Sequence, residues 1–268
     1  MTSVRHQPRR QHEDGGKPSP DTQRPVSLHL DLRVLPAMER SVPSAHDRTS
    51  ASHGAAVVTT RDIQSGVLIA FEGIDGSRKS TQARRLCAAL EGRGLRTLLL
   101  HEPGDSEYGN KIRQLFEHGR SVSPEEEMRL FLEDRRIDVR DNILPALAAG
   151  SVVVMDRYYF SSMAYQGALG LDPELIRIKN EEFAPRPDLT LILDLVPDTG
   201  VARIRARRDV PNSFERADYL LRVRQMFLTF CGDDVVRVDA SGDLDAVQEE
   251  IQELVGKLLS TRRLPPRD

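Results

Sequence analysis

Hydrophobic positions along the chain are gathered in five short runs, separated by longer stretches in which apolar and polar residues are mixed. The runs are VLIAFE (67–72), TLLLH (97–101), VVVM (152–155), LTLILDL (189–195) and DVVRVDA (234–240). Nearly unbroken apolar runs of this length are typical of strands that are buried on both faces of a parallel sheet. The pattern therefore predicts a five-stranded parallel sheet.

The stretches between the runs carry helix signals. STQARRLCAALEGRG, after the first run, has apolar residues at helical spacing and ends on glycine. Ser123 offers an N-cap, Pro124 fits the first helical position and Glu126 suits a capping box, so a long helix is predicted from here towards Gly150. A helix is also predicted after the last run. Strands that alternate with helices indicate βαβ units and an α/β fold.

The two ends of the chain differ from the middle. Residues 1–62 are rich in Pro, Ser, Arg, His and Gly and bring too few apolar side chains together to offset the entropy of ordering them. We therefore predict a disordered extension over 1–62, a folded domain over 63–260 and a flexible tail over 261–268. A start of translation near Met38 is an alternative interpretation of the extension.

Composition and charge exclude several classes of protein. A hydrophobic share of 39% and an aromatic share of 5% fit a folded domain diluted by disordered ends, and a net charge of −3 gives no argument for nucleic-acid or membrane binding. No apolar run approaches the roughly 20 residues that span a bilayer, and the N-terminus lacks the apolar segment of a secretory signal. Cys87 and Cys231 have no metal-binding spacing. We expect a cytoplasmic protein without nucleic-acid or membrane partners.

A phosphate-binding loop follows the first run. GIDGSRKS (73–80) matches the template GxxxxGK[ST] except at Arg78, and it lies between a predicted strand and a predicted helix. In such a loop, backbone N–H groups cradle phosphate at a helix N-terminus, the lysine reaches the β- and γ-phosphates, and the hydroxyl binds Mg²⁺. The predicted ATP-binding residues are Gly73, Ile74, Asp75, Gly76, Ser77, Arg78, Lys79, Ser80 and Thr81. This context predicts the three-layer αβα fold of P-loop NTPases.

Arg78 stands where the template has its second glycine, and two interpretations are open. If the backbone there has a positive φ, a side chain costs about 1–2 kcal/mol and weakens the site without abolishing it. If φ is negative, the side chain points away or adds positive charge to the phosphate site.

The third run ends with an acid and a base. Asp156 is placed at the tip of a strand beside the phosphate loop, where it would hold Mg²⁺ or its waters together with Ser80. Arg157 follows directly and would hold a second phosphate.

Five segments together resemble the thymidylate kinase family of bacterial type. They are FEGIDGSRKST, HEPGDSEYGNKIR, LFLEDR, DRYYFSSMAYQG and PDLTLILDL, in the order and with about the spacing of that family. The resemblance covers residues 66 to about 258, and the DRYYFSSMAYQG segment is its most specific part.

The resemblance implies a binding site for the base and sugar of dTMP. Phe131 would stack on the thymine ring, and Arg135, one helical turn later, would bind a base carbonyl. Gln166 and Ser162 would help to read the base. Tyr165 would lie against the sugar and disfavour a ribose 2′-hydroxyl.

The resemblance also implies how the phosphates are held. Arg113 and Arg157 would bind the 5′-phosphate of dTMP, Glu102 would lie near the sugar and phosphate, and Asp75 would lie near the acceptor and the magnesium shell. Lys79, Arg157 and Asp75 would therefore be catalytic residues.

A mobile lid is expected over about residues 203–218, where Arg207, Arg208 or Arg216 would close over the γ-phosphate. Two departures from the family accompany Arg78: His101 stands where the family motif begins with arginine, and the lid lacks the arginine before Phe214-Glu215.

The implied reaction is transfer of phosphate from ATP·Mg²⁺ to dTMP, in a homodimeric enzyme. Two alternatives are open at this point. The chain could be a nucleoside-monophosphate kinase with another base specificity. It could instead be a degenerate nucleotide-binding protein without catalysis, whose extension tethers a partner.

Overall fold

The computed structural model describes residues 66–206, 217–262 and 264. Five parallel strands form one sheet in the order β2-β3-β1-β4-β5. Their bounds are Val67–Glu72 (β1), Thr97–His101 (β2), Val152–Asp156 (β3), Leu189–Asp194 (β4) and Val235–Asp239 (β5). The predicted α/β fold with a five-stranded parallel sheet is confirmed.

Helices connect the strands and flank the sheet. They are Lys79–Gly92 (α1), Glu107–His118 (α2), Pro124–Asp138 (α3), Leu144–Ala148 (α4), Tyr159–Gly167 (α5), Pro173–Glu181 (α6), Pro197–Ala206 (α7), Ala217–Thr229 (α8) and Leu244–Ser260 (α9). The side chain of Ser123 accepts a hydrogen bond from the Glu126 amide, as the N-cap signal predicts.

The long helix predicted towards Gly150 is interrupted. After α3 ends at Asp138, the chain forms a π-helical turn over Val139–Ile143 and then enters α4. Pro145, near the start of α4, has no N–H to donate, so a regular α-helical ladder cannot run through this point.

The core lies on both faces of the central strands. All six residues of β1 are buried, as are all but the last residue of β3 and of β4. The edge strands β2 and β5 are only partly buried, because each has a neighbour on one side only. The expectation of burial on both faces therefore holds for the three central strands and fails at the two edges.

The sheet topology decides where a ligand can bind. β1 lies between β3 and β4. After β1 the chain forms β2 and β3 on one side of it and then crosses to form β4 and β5 on the other side, so the direction of winding reverses at β1. Ligands of open parallel sheets bind at such a point. In the register of β1 and β3, Phe71 pairs with Asp156, which brings the phosphate loop and Arg157 to the same edge of the sheet.

Some predictions fall outside the described residues. These are the extension over 1–62, most of the lid and of the tail, and the roles of Arg207, Arg208 and Arg216. Among the helices that the structure does describe, none combines the length and the apolar character needed to cross a bilayer.

Candidate active site

The phosphate loop connects β1 to α1, and two of its glycines are required by the backbone. Gly73 and Gly76 have φ angles of 130° and 82°. A Cβ on Gly76 would lie 2.4 Å from the carbonyl oxygen of Gly200, and a Cβ on Gly73 would lie 2.5 Å from that of Leu193. The loop is therefore fitted closely against β4 and α7, which fixes its shape.

Lys79 is the first residue of α1 and lies inside the loop with 5% of its surface exposed. Its ammonium group donates to the Ile74 carbonyl oxygen at 2.9 Å. Burial, together with repulsion from Arg157, lowers the pKa of Lys79 to about 8. The N–H groups of the first turn of a helix have no acceptors within that helix. A buried cation and open N–H groups form a site for an anion.

A cavity of about 430 Å³ opens over this loop. It is lined by loop and helix residues and by the ends of β2 and β3: Asp75, Gly76, Arg78, Lys79, Ser80, Thr81, Arg84, Leu99, Leu100, His101, Glu102, Asp156 and Arg157. The structure thus brings Ser80 and Asp156 to the same cavity, as expected for a shared Mg²⁺ site.

The residues present fit Mg²⁺ bound together with phosphate. A hydroxyl and a carboxylate are the oxygen ligands that Mg²⁺ accepts, and it usually takes only one or two protein ligands, with waters and phosphates completing the shell. Across the part of the chain that the structure describes, no group of three or more His, Cys, Asp or Glu side chains could form a dedicated metal cage.

A second cavity, of about 230 Å³, adjoins the first. It is lined by Asp75, Glu102, Pro103, Phe116, Phe131, Arg135, Arg157, Ser161, Ser162, Tyr165 and Gln166. Phe131 lies there beside Phe116, with ring centroids 6.4 Å apart. Three side chains, those of Asp75, Glu102 and Arg157, line both cavities.

Arg157 stands at the junction and is held from several sides. Its Nη1 donates to the Gly73 carbonyl oxygen at 3.2 Å and to Ser161 Oγ at 3.1 Å. Its Nη2 donates to Asp75 and, at 3.3 Å, to the Tyr165 hydroxyl. The Tyr165 hydroxyl in turn donates to Asp75 at 2.9 Å. Although burial acts to raise the pKa of Asp75, the neighbouring Arg157 and Lys79 hold that pKa below its usual value.

Comparison with known proteins shows which family the sequence resembles. The family model described as thymidylate kinase matches residues 71–251. A "probable thymidylate kinase" of Archaeoglobus fulgidus is 48% identical over 197 residues, 74% of this chain and 98% of that protein. Thymidylate kinases of Xanthomonas campestris pv. campestris and Xanthomonas oryzae pv. oryzae are also 48% identical, over 199 and 200 residues, covering 74% of this chain and 86% of each relative.

The chain belongs to the thymidylate kinase family. The family suggested by the five sequence segments is confirmed. The prediction that the chain is a phosphotransferase is confirmed with it.

In this thymidylate kinase family member, Arg135 and Glu102 form a buried pair in the wall of the second cavity, which is called the acceptor cavity from here on. Arg135 Nε donates to the two carboxylate oxygens of Glu102 at 2.8 and 3.0 Å, and Nη2 donates to Ser162 Oγ at 3.1 Å. Nη1 donates to Asn180 Oδ1 at 2.5 Å, and the guanidinium lies over the ring of Tyr158. The expected contact with a base carbonyl stays a prediction, since the structure shows a side chain fixed by its protein partners.

Arg113 binds the backbone of the loop that follows β2. Its Nη1 donates to the carbonyl oxygens of Pro103 and Gly104, at 3.1 and 2.7 Å. Its Nη2 donates to Asn110 at 2.8 Å. These bonds hold the loop that carries Glu102 and Pro103 against the cavity. Direct contact between Arg113 and phosphate stays a prediction.

Arg78 adopts the left-handed conformation, with φ 70° and ψ 23°, and its side chain is exposed at the cavity over the loop. The first of the two interpretations therefore applies to the backbone. The strain of about 1–2 kcal/mol for a side chain in this region is present, while the loop keeps the shape that the flanking glycines require.

We expect Arg78→Gly to raise the free energy of unfolding by about 0.5–1 kcal/mol, since relief of strain exceeds the added entropy of an unfolded glycine. Arg78→Ala removes the same charge but keeps the strained Cβ, so its stability stays near that of the wild type. Because the loop shape comes from the backbone, both variants should keep kcat/KM for ATP within about threefold, a factor worth under 1 kcal/mol. Urea unfolding and steady-state kinetics measure both. A collapse of activity in both variants would show instead that the guanidinium is a recruited phosphate-binding cation.

Glu72 was not predicted as a site residue, yet it organises the acceptor side. It is fully buried at the end of β1, and its Oε1 accepts from the amides of Tyr158 and Ser161 at 2.8 and 3.1 Å. Its Oε2 accepts from Ser161 Oγ at 2.5 Å, and that hydroxyl also accepts from Arg157. Glu72 thus caps the N-terminus of α5, which has no cap from its own side chains.

Burial raises the pKa of Glu72 from 4.5 to about 7, against the opposing hydrogen bond from Ser161. A carboxyl with a raised folded pKa contributes stability that is complete below about pH 4.5 and is lost as the pH rises through about 7. We expect the free energy of unfolding of the wild type, relative to that of Glu72→Gln, to fall by about 3 kcal/mol as the pH rises from about 4.5 to above 7. Urea unfolding at several pH values measures this difference. Glu249→Gln, on the exposed face of α9, controls for the substitution; a flat difference for Glu72→Gln would contradict the assignment.

Proposed function

We propose that the chain transfers the γ-phosphoryl group of ATP to the 5′-phosphate of dTMP, yielding ADP and dTDP. The observation that carries this proposal is the junction of the two cavities, which share the side chains of Asp75, Glu102 and Arg157. A triphosphate over the loop and a monophosphate beside Arg157 would meet at these three residues.

The reaction requires little covalent chemistry from the protein. An oxygen of the acceptor phosphate attacks the γ-phosphorus, and the bond from that phosphorus to the bridging oxygen of ADP breaks. The acceptor phosphate is already anionic, so no strong general base is needed. Catalysis then consists of positioning and charge stabilisation. Lys79 is placed to neutralise the β- and γ-phosphates, and Arg157 to align the acceptor phosphate.

Mg²⁺ would be held by Ser80 and Asp156, together with the phosphates of ATP. When bound, the ion neutralises charge on the transferring phosphoryl group. Arg207 and Arg208, in the expected lid, would add positive charge at the γ-phosphate on closure and exclude water. A homodimer and a cytoplasmic location remain part of this proposal through the resemblance and the composition.

The acceptor cavity suits a pyrimidine deoxynucleotide. Phe131 offers an aromatic face, Arg135 a donor for a carbonyl oxygen, and Tyr165 a ring against the sugar. The Tyr165 ring is fixed from two sides, because Arg157 lies over it at 5.0 Å and its hydroxyl binds Asp75. A ring held in this way would disfavour an added 2′-hydroxyl if the sugar lies against it.

A coupled ADP-release assay with dTMP, dUMP, dCMP and UMP as acceptors tests the proposal. We expect dTMP to have the highest kcat/KM, dUMP to be about tenfold lower for lack of one methyl group, and dCMP and UMP to be lower by about 100-fold or more. A higher kcat/KM for another monophosphate would show that the enzyme has a different base specificity. Binding of dTMP without any ATP consumption would establish the non-catalytic alternative, which no observation in the structure favours.

A further inference from the structure

The side-chain amide of Gln166 is hydrogen-bonded through its NH₂ group, whereas its oxygen has no partner among the described residues. Gln166 lies on α5 in the acceptor cavity and is 1% exposed. Its Nε2 donates to Glu127 Oε1 at 2.8 Å. Its Oε1 is buried and has no hydrogen-bond partner among the residues that the structure describes. A buried carbonyl oxygen without a donor is costly, so a ligand N–H that reached this oxygen would bind it favourably.

The orientation of this amide is imposed by Glu127, on α3. Glu127 is fully buried, and its Oε2 accepts from Arg120 Nε at 2.9 Å. A carboxylate paired with a guanidinium only accepts hydrogen bonds, so the NH₂ branch of the Gln166 amide must face it. The opposite orientation would set a carbonyl oxygen against a carboxylate oxygen, which repel each other.

Glu127 is itself fixed by a chain of hydrogen bonds. Arg120 Nη2 donates to the Tyr219 hydroxyl at 2.6 Å, and this hydroxyl donates to the Tyr165 carbonyl oxygen at 2.7 Å. The guanidinium of Arg120 also lies 4.4 Å from the centre of the Tyr219 ring. Glu127 cannot turn away from Gln166 without breaking contacts that reach across α3, α5 and α8.

The chemistry of pyrimidine bases gives this orientation a consequence. Thymine and uracil carry an N–H at N3 between two carbonyl groups, whereas cytosine has a lone pair at N3 and an amino group at C4. An amide oxygen facing the base accepts from the N–H of the first type and repels the lone pair of the second. Arg135, which lines the same cavity, offers only donors, which also suit a carbonyl group.

We propose that Glu127 is a positioning residue that sets base specificity, by fixing the Gln166 amide with its oxygen towards a 2,4-dioxopyrimidine. This proposal rests on the proposed function. Glu127 acts only through Gln166.

The ratio of kcat/KM for dTMP to kcat/KM for dCMP tests the proposal. Glu127→Gln keeps the shape but can donate as well as accept, which lets the Gln166 amide turn over. We expect the ratio to fall at least about tenfold, because dCMP gains while dTMP is still phosphorylated. Glu126→Gln is the matched control: it makes the same change one residue earlier on α3, at an exposed side chain paired with Arg129, and should leave the ratio unchanged.

A double-mutant cycle with Gln166→Met shows whether the two residues act as one. Gln166→Met alone should lower the ratio, and adding Glu127→Gln should then change it no further. A wild-type ratio in folded Glu127→Gln, or an equal effect of Glu127→Gln in both backgrounds, overturns the proposal. If Glu127→Gln does not fold, an unchanged ratio in Gln166→Met overturns it. Failure of the proposed function is distinguished at once, because the wild type would then not phosphorylate dTMP.

Discussion

Lys79→Met is expected to lower kcat for dTMP phosphorylation about 1,000-fold, equivalent to about 4 kcal/mol of transition-state stabilisation. The substitution keeps the unbranched shape of the side chain and removes a cation enclosed by the loop, whose ammonium lies 2.9 Å from the Ile74 carbonyl oxygen. Steady-state kinetics at saturating ATP and dTMP measure the loss.

The stability of Lys79→Met distinguishes a catalytic role of the lysine from a structural one. Burial lowers the pKa of Lys79 to about 8, so the folded protein favours the charged form less than the unfolded chain does, although the lysine is still charged at neutral pH. Removing the charge should therefore leave the melting temperature unchanged or higher while activity collapses. Lys111→Met, on the exposed face of α2, is the matched control and should have normal kinetics. Activity of Lys79→Met within about tenfold of the wild type would contradict the assigned role, since it leaves under 1.4 kcal/mol for the cation.

Arg157→Lys is expected to lower kcat/KM for dTMP about 100-fold or more, although the positive charge is kept. The guanidinium donates at once to the Gly73 carbonyl oxygen, Ser161 and Asp75, and a single ammonium group cannot reproduce this forked geometry. Losing two charge-assisted hydrogen bonds at about 1.5–3 kcal/mol each is consistent with a loss of this size.

The loss should fall on the acceptor rather than on ATP. We expect KM for ATP to change less than about threefold, because ATP meets Arg157 only at the junction and its phosphates are held by the loop. Arg140→Lys, at an exposed arginine paired with Asp141, makes the same change away from both cavities and should be silent. Equal losses for both substrates would show that Arg157 supports the whole site instead of aligning the acceptor.

The sequence predicts the sheet and the position of the site well, because both depend on local patterns. Apolar runs mark β1, β3 and β4 to within a residue or two, and a glycine-rich turn between a strand and a helix marks the phosphate loop. From the sequence, Asp156 and Arg157 are expected beside the phosphate loop, and the observed position of β3 next to β1 agrees with this.

The parts that could not be predicted depend on contacts between distant segments. Glu72 reads as the end of a buried strand, and its partners Tyr158 and Ser161 lie 86 and 89 positions away. The partnership of Glu127 with Gln166 crosses from α3 to α5, and no spacing in the sequence signals it. The sequence also could not decide the φ angle of Arg78, because a βα turn that lacks one glycine is compatible with either sign of φ. The positive value follows from the packing of the loop against α7, which only the structure shows.

If the triphosphate and monophosphate sites meet at one junction, phosphate passes directly between the two nucleotides. Transfer of label from [γ-³²P]ATP in the presence of Mg²⁺ and dTMP tests this most directly. We expect all released label to appear in dTDP, with one ADP formed for each dTDP and little free phosphate. Label that appears as inorganic phosphate whether or not dTMP is present, or that stays in ATP while dTMP binds, would contradict it.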